Sequence, residues 1–131
     1  MLLGSAKGAQ HEETIVLIAN KQSSFASLST ESVRAIFAMR LRTFPGGRAA
    51  HVFVLPDNNP LHDAFCKQLL NVYPHQLRLA WDRAVFSGTG QAPNTVESIS
   101  DMLDLVATTP GGIGYVKKGQ ADDRVRIISL D

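Results

Sequence analysis

Apolar residues along this chain form short continuous runs that alternate with stretches of helical spacing. Runs over residues 14–20, 51–55 and 113–116 are rich in β-branched or aromatic side chains, which predicts buried strands. The first run is predicted to form a central strand covered on both faces. Residues 125–130 alternate enough to predict a last strand, and residues 94–97 predict a short one.

Four segments between these runs have the spacing of amphipathic helices. Ser29 is predicted to cap the first, Asn59 followed by Pro60 to start the second, and Ser100 to cap the fourth. An apolar stripe over residues 77–85 predicts the third helix.

Two further side-chain assignments follow from this spacing. Trp81 and Phe86 are predicted to lie in the core rather than to form a ligand-stacking platform. Asp63 and Lys67, four residues apart, are predicted to pair on the outer face of the second helix.

This order of elements predicts an α/β fold: a single three-layer sandwich in which a mixed, mostly parallel sheet is flanked by helices. The 131 residues suffice for about one domain, which we predict to cover residues 13–131. Residues 1–12 are predicted to be a disordered N-terminus or the remnant of a signal peptide, because Ala6 and Gly8 are small residues at the spacing that signal peptidase reads.

Composition removes several classes of function. The formal net charge of +1 gives no general attraction to nucleic acid, and no run approaches the ~20 apolar residues of a membrane span. The single cysteine, Cys66, excludes an intramolecular disulfide. The histidines lack the spacing of metal ligands, so neither a metal nor a cofactor is predicted.

A glycine-rich turn at residues 110–112 leads into an Ile-Gly-Tyr strand, and other landmarks precede it in order. They are Ala19-Asn20, Leu28-Ser29, Ile36-Phe37, Phe65, Trp81 and Gly88. This ordered set resembles the phosphate-type periplasmic substrate-binding proteins of ABC transporters, which have the type II periplasmic-binding-protein fold. The resemblance covers nearly the whole chain and implies one lobe of the usual two.

One departure from that family concerns the ligand site. Phosphate-binding members place Ser-Gly-Thr at the start of the helix that carries the equivalent of Phe65, whereas this chain has Asn59, Pro60 and Leu61 there. Proline has no N–H group and leucine has no hydroxyl, so the usual cradle for phosphate is incomplete. Asn59 is expected to use its side-chain carbonyl for capping.

If anion binding survives, the predicted ligand-binding residues are Asn58, Asn59 and His62 near the start of this helix, with Arg48 as charge partner. Tyr115 is added because its hydroxyl could lie at the edge of the sheet where open α/β sheets bind ligands, with core packing as the alternative.

Three other features have an ordinary structural explanation beside a functional one. Arg34, Arg40, Arg42 and Arg48 could gather an anion, but surface arginines more often pair with acids elsewhere. Ser-Gly-Thr-Gly at residues 87–90 is expected to be a plain turn, since the phosphate-loop pattern is incomplete. His62 and Cys66 could form a catalytic or metal-binding pair, but a semi-buried inert thiol is the more common outcome.

The sequence therefore predicts a non-enzymatic, periplasmic or secreted solute-binding domain with weak or altered binding of phosphate or another small anion. A partner protein or a homodimer would supply the missing wall of the site. The alternative is a protein-interaction domain that has lost the ligand site. No catalytic residue is predicted; a small hydrolase using Cys66 and His62 is the third hypothesis.

Overall fold

The computed structural model describes residues 14–131, so the predicted N-terminal segment 1–12 lies outside the described residues and the boundary at residue 13 stays a prediction. Six strands are present in this part of the chain: β1 (Ile15–Asn20), β2 (Ser27–Leu28), β3 (His51–Val54), β4 (Asn94–Thr95), β5 (Gly112–Lys117) and β6 (Val125–Leu130). The α-helices are α1 (Thr30–Phe37), α2 (Pro60–Phe65), α3 (Pro74–Phe86) and α4 (Ile99–Thr108). A π-helical segment, Cys66–Leu70, extends α2, and a 3₁₀ turn, Lys118–Gln120, follows β5.

The strands form one sheet in the order β2-β6-β1-β5-β3-β4. β1 is antiparallel to both of its neighbours, with Leu17 opposite Tyr115 on one side and Ile128 on the other. The remaining pairs are parallel, so the other strands all run in the direction opposite to β1. The predicted mixed, mostly parallel sheet is confirmed, and β1 is central as expected.

Helices cover both faces of the sheet. Neighbouring residues of β5 point to opposite faces, so the contacts of Gly114 and Tyr115 show what packs on each face. A Cβ atom on Gly114 would meet Met102 and Val106, which places α4 on that face. Tyr115 points to the other face and stacks on Phe65 with ring centroids 3.8 Å apart. This second face is covered by α1, α2 and α3, so the three-layer sandwich is confirmed.

Helix α3 contributes less to the core than its apolar stripe predicts. Trp81 is buried and donates from Nε1 to the carbonyl oxygen of Phe37 at 2.7 Å, which confirms its predicted place in the core. Phe86 is 92% exposed and Val85 is 54% exposed, so the assignment of these two residues to the core is wrong. Phe86 is the last residue of α3 and lies seven residues after the exposed Leu79, on the outward side of the helix.

The predicted helix starts are correct in two cases and two residues too late in a third. Ser29 accepts from Ser32 N, and Asn59 accepts from Leu61 N through Oδ1. α4 is capped by Ser98 rather than by Ser100, since Ser98 Oγ accepts from Asp101 N at 3.1 Å. On α2, the predicted pair of Asp63 and Lys67 forms an ion pair of 3.0 Å.

The predicted glycine-rich turn joins α4 to β5. Gly111 has a φ of +80°, and Gly112 N donates to Thr109 O at 2.8 Å. Asn20, at the end of β1, donates from Nδ2 to the carbonyl oxygens of Val106, Ala107 and Thr109. A buried side-chain amide thus satisfies the end of α4 and fixes its position on the sheet.

Candidate functional site

A cavity of about 330 Å³ lies at the edge of the sheet where β3 and β5 end, and we call it the edge cavity. Open α/β sheets commonly bind ligands at the carboxyl ends of their strands. The apolar part of its wall consists of Ile15, Pro60, Leu61, Ala64 and Ile99. This much apolar wall suits a ligand with an apolar body.

The polar part of the wall is formed by amide side chains and one lysine. These residues are Asn59, Gln68, Lys117 and Gln120. Of them, only Asn59 is among the predicted site residues. Lys117 is the last residue of β5 and lies opposite Ile15 of β1. Its place at this edge follows from the pairing of these strands, which the sequence alone does not show.

The start of α2 is the position at which the resemblance to the phosphate-binding family would place phosphate. Few backbone amides are left there for a ligand. Asn59 N donates to Pro56 O, Pro60 has no N–H, and Leu61 N is taken by Asn59 Oδ1. Asp63 N donates to Asn59 O within the helix. Only the amide of His62 remains, so this helix end cannot surround an oxyanion with backbone donors.

The start of α4 is more open. Ser98 Oγ accepts from Asp101 N, and Met102 N donates to Ser98 O. The amides of Ile99 and Ser100 make no hydrogen bond within residues 14–131. These two adjacent N–H groups, one of them on the lining residue Ile99, can therefore donate hydrogen bonds to an anionic group, helped by the helix dipole.

Of the five predicted ligand residues, Asn59 lines the edge cavity and the other four do not. Asn58 is exposed in the loop before α2, and Asn59 lines the edge cavity. His62, on the inner side of α2, and Tyr115 of β5 are fully buried. Arg48 is exposed in the turn before β3, at the opposite end of that strand from Asn59. Arg48 does not line the edge cavity, and as ligand contacts all five residues stay predictions.

Tyr115 and His62 belong to a buried hydrogen-bonded chain. Leu55 N donates to the Tyr115 hydroxyl at 2.8 Å, and that hydroxyl contacts His62 Nδ1 at 2.5 Å. His62 Nε2 lies 3.6 Å from Cys66 Sγ. One tautomer satisfies every group: Tyr115 donates to Nδ1, and Nε2–H donates to sulfur. Tyr115 thus lies in the core, as the packing alternative expects, and not at the edge of the sheet.

The electrostatics of this buried chain oppose nucleophilic chemistry. Burial lowers the pKa of His62, and burial raises the pKa of Cys66 to about 12, so both groups stay neutral near pH 7. A thiolate and imidazolium pair needs the reverse shifts. No metal-binding group of three His, Cys, Asp or Glu residues exists within the described part of the chain.

We expect Cys66 in the folded protein to resist iodoacetamide at pH 8, where roughly one thiol in ten thousand is ionised at this pKa. Labelling followed by mass spectrometry measures this directly. In denaturant the same cysteine should react within minutes, which serves as the internal control. Rapid, stoichiometric labelling of the native protein would instead support the hydrolase hypothesis.

The loop after α3 is a turn, as expected. Its amides are all used locally: Gly88 N donates to Val85 O, and Thr89 N and Gly90 N both donate to Ala84 O. Ser87 Oγ donates back into the helix and lies 2.8 Å from Thr89 Oγ1. Residues 87–90 therefore have no backbone N–H groups to offer a phosphate.

The four predicted arginines do not act as one cluster. Arg34 donates to Leu70 O at 2.8 Å, which ties α1 to the π-helical segment. Arg40 and Arg42 lie together near α3, and Arg48 is apart from them. Within residues 14–131 none of the four pairs with a carboxylate, so the expected pairing with acids is not seen.

Comparison with known proteins assigns the fold. No family model and no curated protein matches the sequence. An ABC-type phosphate transport receptor from Vibrio cholerae superposes with a TM-score of 0.70 at 15% identity, over 89% of this chain and 46% of that protein. The fold is that of phosphate-transport receptors.

Two further receptor structures agree. PstS from Borrelia burgdorferi has a TM-score of 0.70 at 14% identity, over 95% of this chain and 53% of its own length. A Clostridium perfringens protein solved with bound phosphate has a TM-score of 0.72 at 19% identity, over 90% and 45% of the two chains. The chain thus spans about half the length of these receptors, and the described residues contain no helix long and apolar enough to cross a membrane.

Proposed function

We propose that this chain is a non-enzymatic, exported solute-binding domain that holds a small organic anion in the edge cavity. The receptor fold supports a binding role. The observation that carries the choice of ligand is the use of backbone amides: α2 retains one available N–H, whereas α4 offers those of Ile99 and Ser100. The anionic group is therefore placed at α4, not at the usual phosphate position.

The wall of the edge cavity argues for an organic rather than an inorganic anion. Leu61, Ala64 and Ile99 would contact an apolar body while the carboxylate lies against the α4 amides. The edge cavity lies open on the surface of a single lobe, so water competes with the protein for the bound anion. The affinity is therefore low unless a second wall covers the cavity. A partner protein or a second copy of the chain would supply that wall.

We expect a branched five-carbon carboxylate, isovalerate, to bind with a Kd of about 1 mM. Amide chemical shifts measured by NMR should move at Ile99 and Ser100. Ala64→Trp, which fills the cavity, should raise the Kd at least tenfold. Ala26→Trp, at an exposed position outside it, is the matched control and should change the Kd less than twofold.

Two results would contradict this proposal. One is the absence of shifts with isovalerate, succinate or phosphate up to about 20 mM. The other is equal loss of binding in both tryptophan variants.

The second candidate, a protein-interaction domain, is favoured by one observation. The outward side of α3 exposes Leu79 and Phe86 at 49% and 92%, and Val85 near the end of the helix is 54% exposed. Exposed large apolar side chains on one helix are typical of an interaction surface. Self-association that Phe86→Ser abolishes, with no small anion bound, would support this candidate over solute binding.

A further inference from the structure

A second cavity, of about 420 Å³, lies between the segment after α1 and the side of α3 that carries Ala80, Arg83 and Ala84. Its wall carries three arginines, Arg40, Arg42 and Arg83, together with the hydroxyls of Ser87 and Thr89. We call it the arginine groove. We propose that the arginine groove binds a small anion of the diphosphate class, at a site separate from the edge cavity.

The positive charge of this groove is not neutralised by the protein. Among residues 14–131, no carboxylate forms an ion pair with any of the three guanidinium groups, and no acidic residue lines the groove. Asp82 neighbours Arg83 in sequence, but a helix turns about 100° per residue and Asp82 lies outside the wall. Three unpaired cations in one concave site favour an anionic ligand.

The arginines reach the groove from two separate parts of the chain. Arg42 donates from Nη2 to Thr89 O, which holds its guanidinium against the loop after α3. Arg83 comes from α3 itself, and Arg40 from the segment that follows α1. The core bond between Trp81 Nε1 and Phe37 O joins α3 to the end of α1, so packing fixes the relative placement of the backbone segments that carry the arginines.

Recognition in this groove depends on side chains. The amides of Thr89 and Gly90 are both taken by Ala84 O, so they cannot cradle a phosphate. Guanidinium groups match phosphoryl oxygens with paired, forked hydrogen bonds. The hydroxyls of Ser87 and Thr89 are less available, because Ser87 Oγ donates to Arg83 O and lies 2.8 Å from Thr89 Oγ1.

The size and charge of the groove favour a diphosphate over orthophosphate. Three guanidinium groups carry more positive charge than one orthophosphate neutralises near pH 7, and sites for small organic molecules begin at about 300 Å³. The net charge of the whole chain is only +1, so the attraction is local and does not extend to long polyanions. Met39, Ala80 and Ala84 form the apolar part of the wall.

Pyrophosphate is the probe for the test, measured by calorimetry and NMR in low salt. We expect a Kd below about 1 mM, at least fivefold lower than that of orthophosphate, and shifts at Arg40, Arg42 and Thr89. Arg40→Gln with Arg83→Gln should weaken binding at least tenfold. Arg40→Lys with Arg83→Lys keeps the charge but loses the forks, and should weaken it about threefold or more.

Lys21→Gln with Lys118→Gln is the charge-matched control, since both lysines are exposed and outside the groove. It should change the Kd less than twofold. The inference fails if pyrophosphate does not bind at about 10 mM, if the two Gln double variants weaken binding equally, or if shifts occur only at Ile99 and Ser100. Ala64→Trp should leave pyrophosphate binding unchanged, so this test is independent of the proposed function.

Discussion

Gly111→Ala should cost about 3 to 5 kcal/mol of unfolding free energy, a large part of the stability of a domain this size. Two effects add. A φ of +80° costs a residue with a Cβ about 1 to 2 kcal/mol, and that Cβ would lie 2.2 Å from the carbonyl oxygen of Ala49. The obstacle is backbone, so relief requires the start of β3 to move away from β5. Denaturant unfolding followed by circular dichroism measures the loss.

Gly88→Ala is the matched control for this change. Gly88 has a similar φ of +72°, but a Cβ there meets nothing within 4 Å. We expect it to lose only the conformational part, about 1 to 2 kcal/mol. Equal destabilisation by the two variants would show that the close approach to Ala49 does not exist.

Tyr115→Phe should destabilise the protein by about 2 to 4 kcal/mol, although the aromatic ring and its stacking on Phe65 remain. Loss of the hydroxyl leaves two buried groups, Leu55 N–H and His62 Nδ1, without their partner. Each unsatisfied buried group costs about 1 to 3 kcal/mol. The free energy of unfolding from urea titration is the measurement.

The chain contains a second tyrosine that serves as control. Tyr73 is 57% exposed, and Tyr73→Phe should change stability by less than about 0.5 kcal/mol. Adding His62→Leu to Tyr115→Phe removes one orphaned acceptor, so the double variant should lose less than the sum of the two single changes. Strict additivity would contradict the buried hydrogen-bonded chain.

Most of the fold is predictable because local patterns agree with the final packing. The apolar run over residues 14–20 is continuous, as expected of the central strand that it forms. Asn59 and Pro60 start a helix on local chemistry alone. Phe86 is wrong because its helical register does not match the stripe: nine residues after the buried Leu77, it lies on the opposite side of α3.

The candidate site is less predictable, because it depends on which strand ends are neighbours. Asn59 is predicted correctly to use its side-chain carbonyl for capping. Lys117 is missed, since the pairing of β1 with β5 is a long-range fact that no local pattern shows. Arg83 is missed as a partner of Arg40 because the two meet only when α3 packs beside α1.

The antiparallel position of β1 between β5 and β6 has a consequence for the order of assembly. Ile15 lies opposite Lys117, and Asn20 lies opposite Val125, so the middle of the sheet joins segments about a hundred residues apart. Closing loops of that length precedes the gain from pairing, which slows folding. On a ribosome the first strand has no neighbour until the last two have emerged, and the domain reaches its native state only after synthesis of this region is complete.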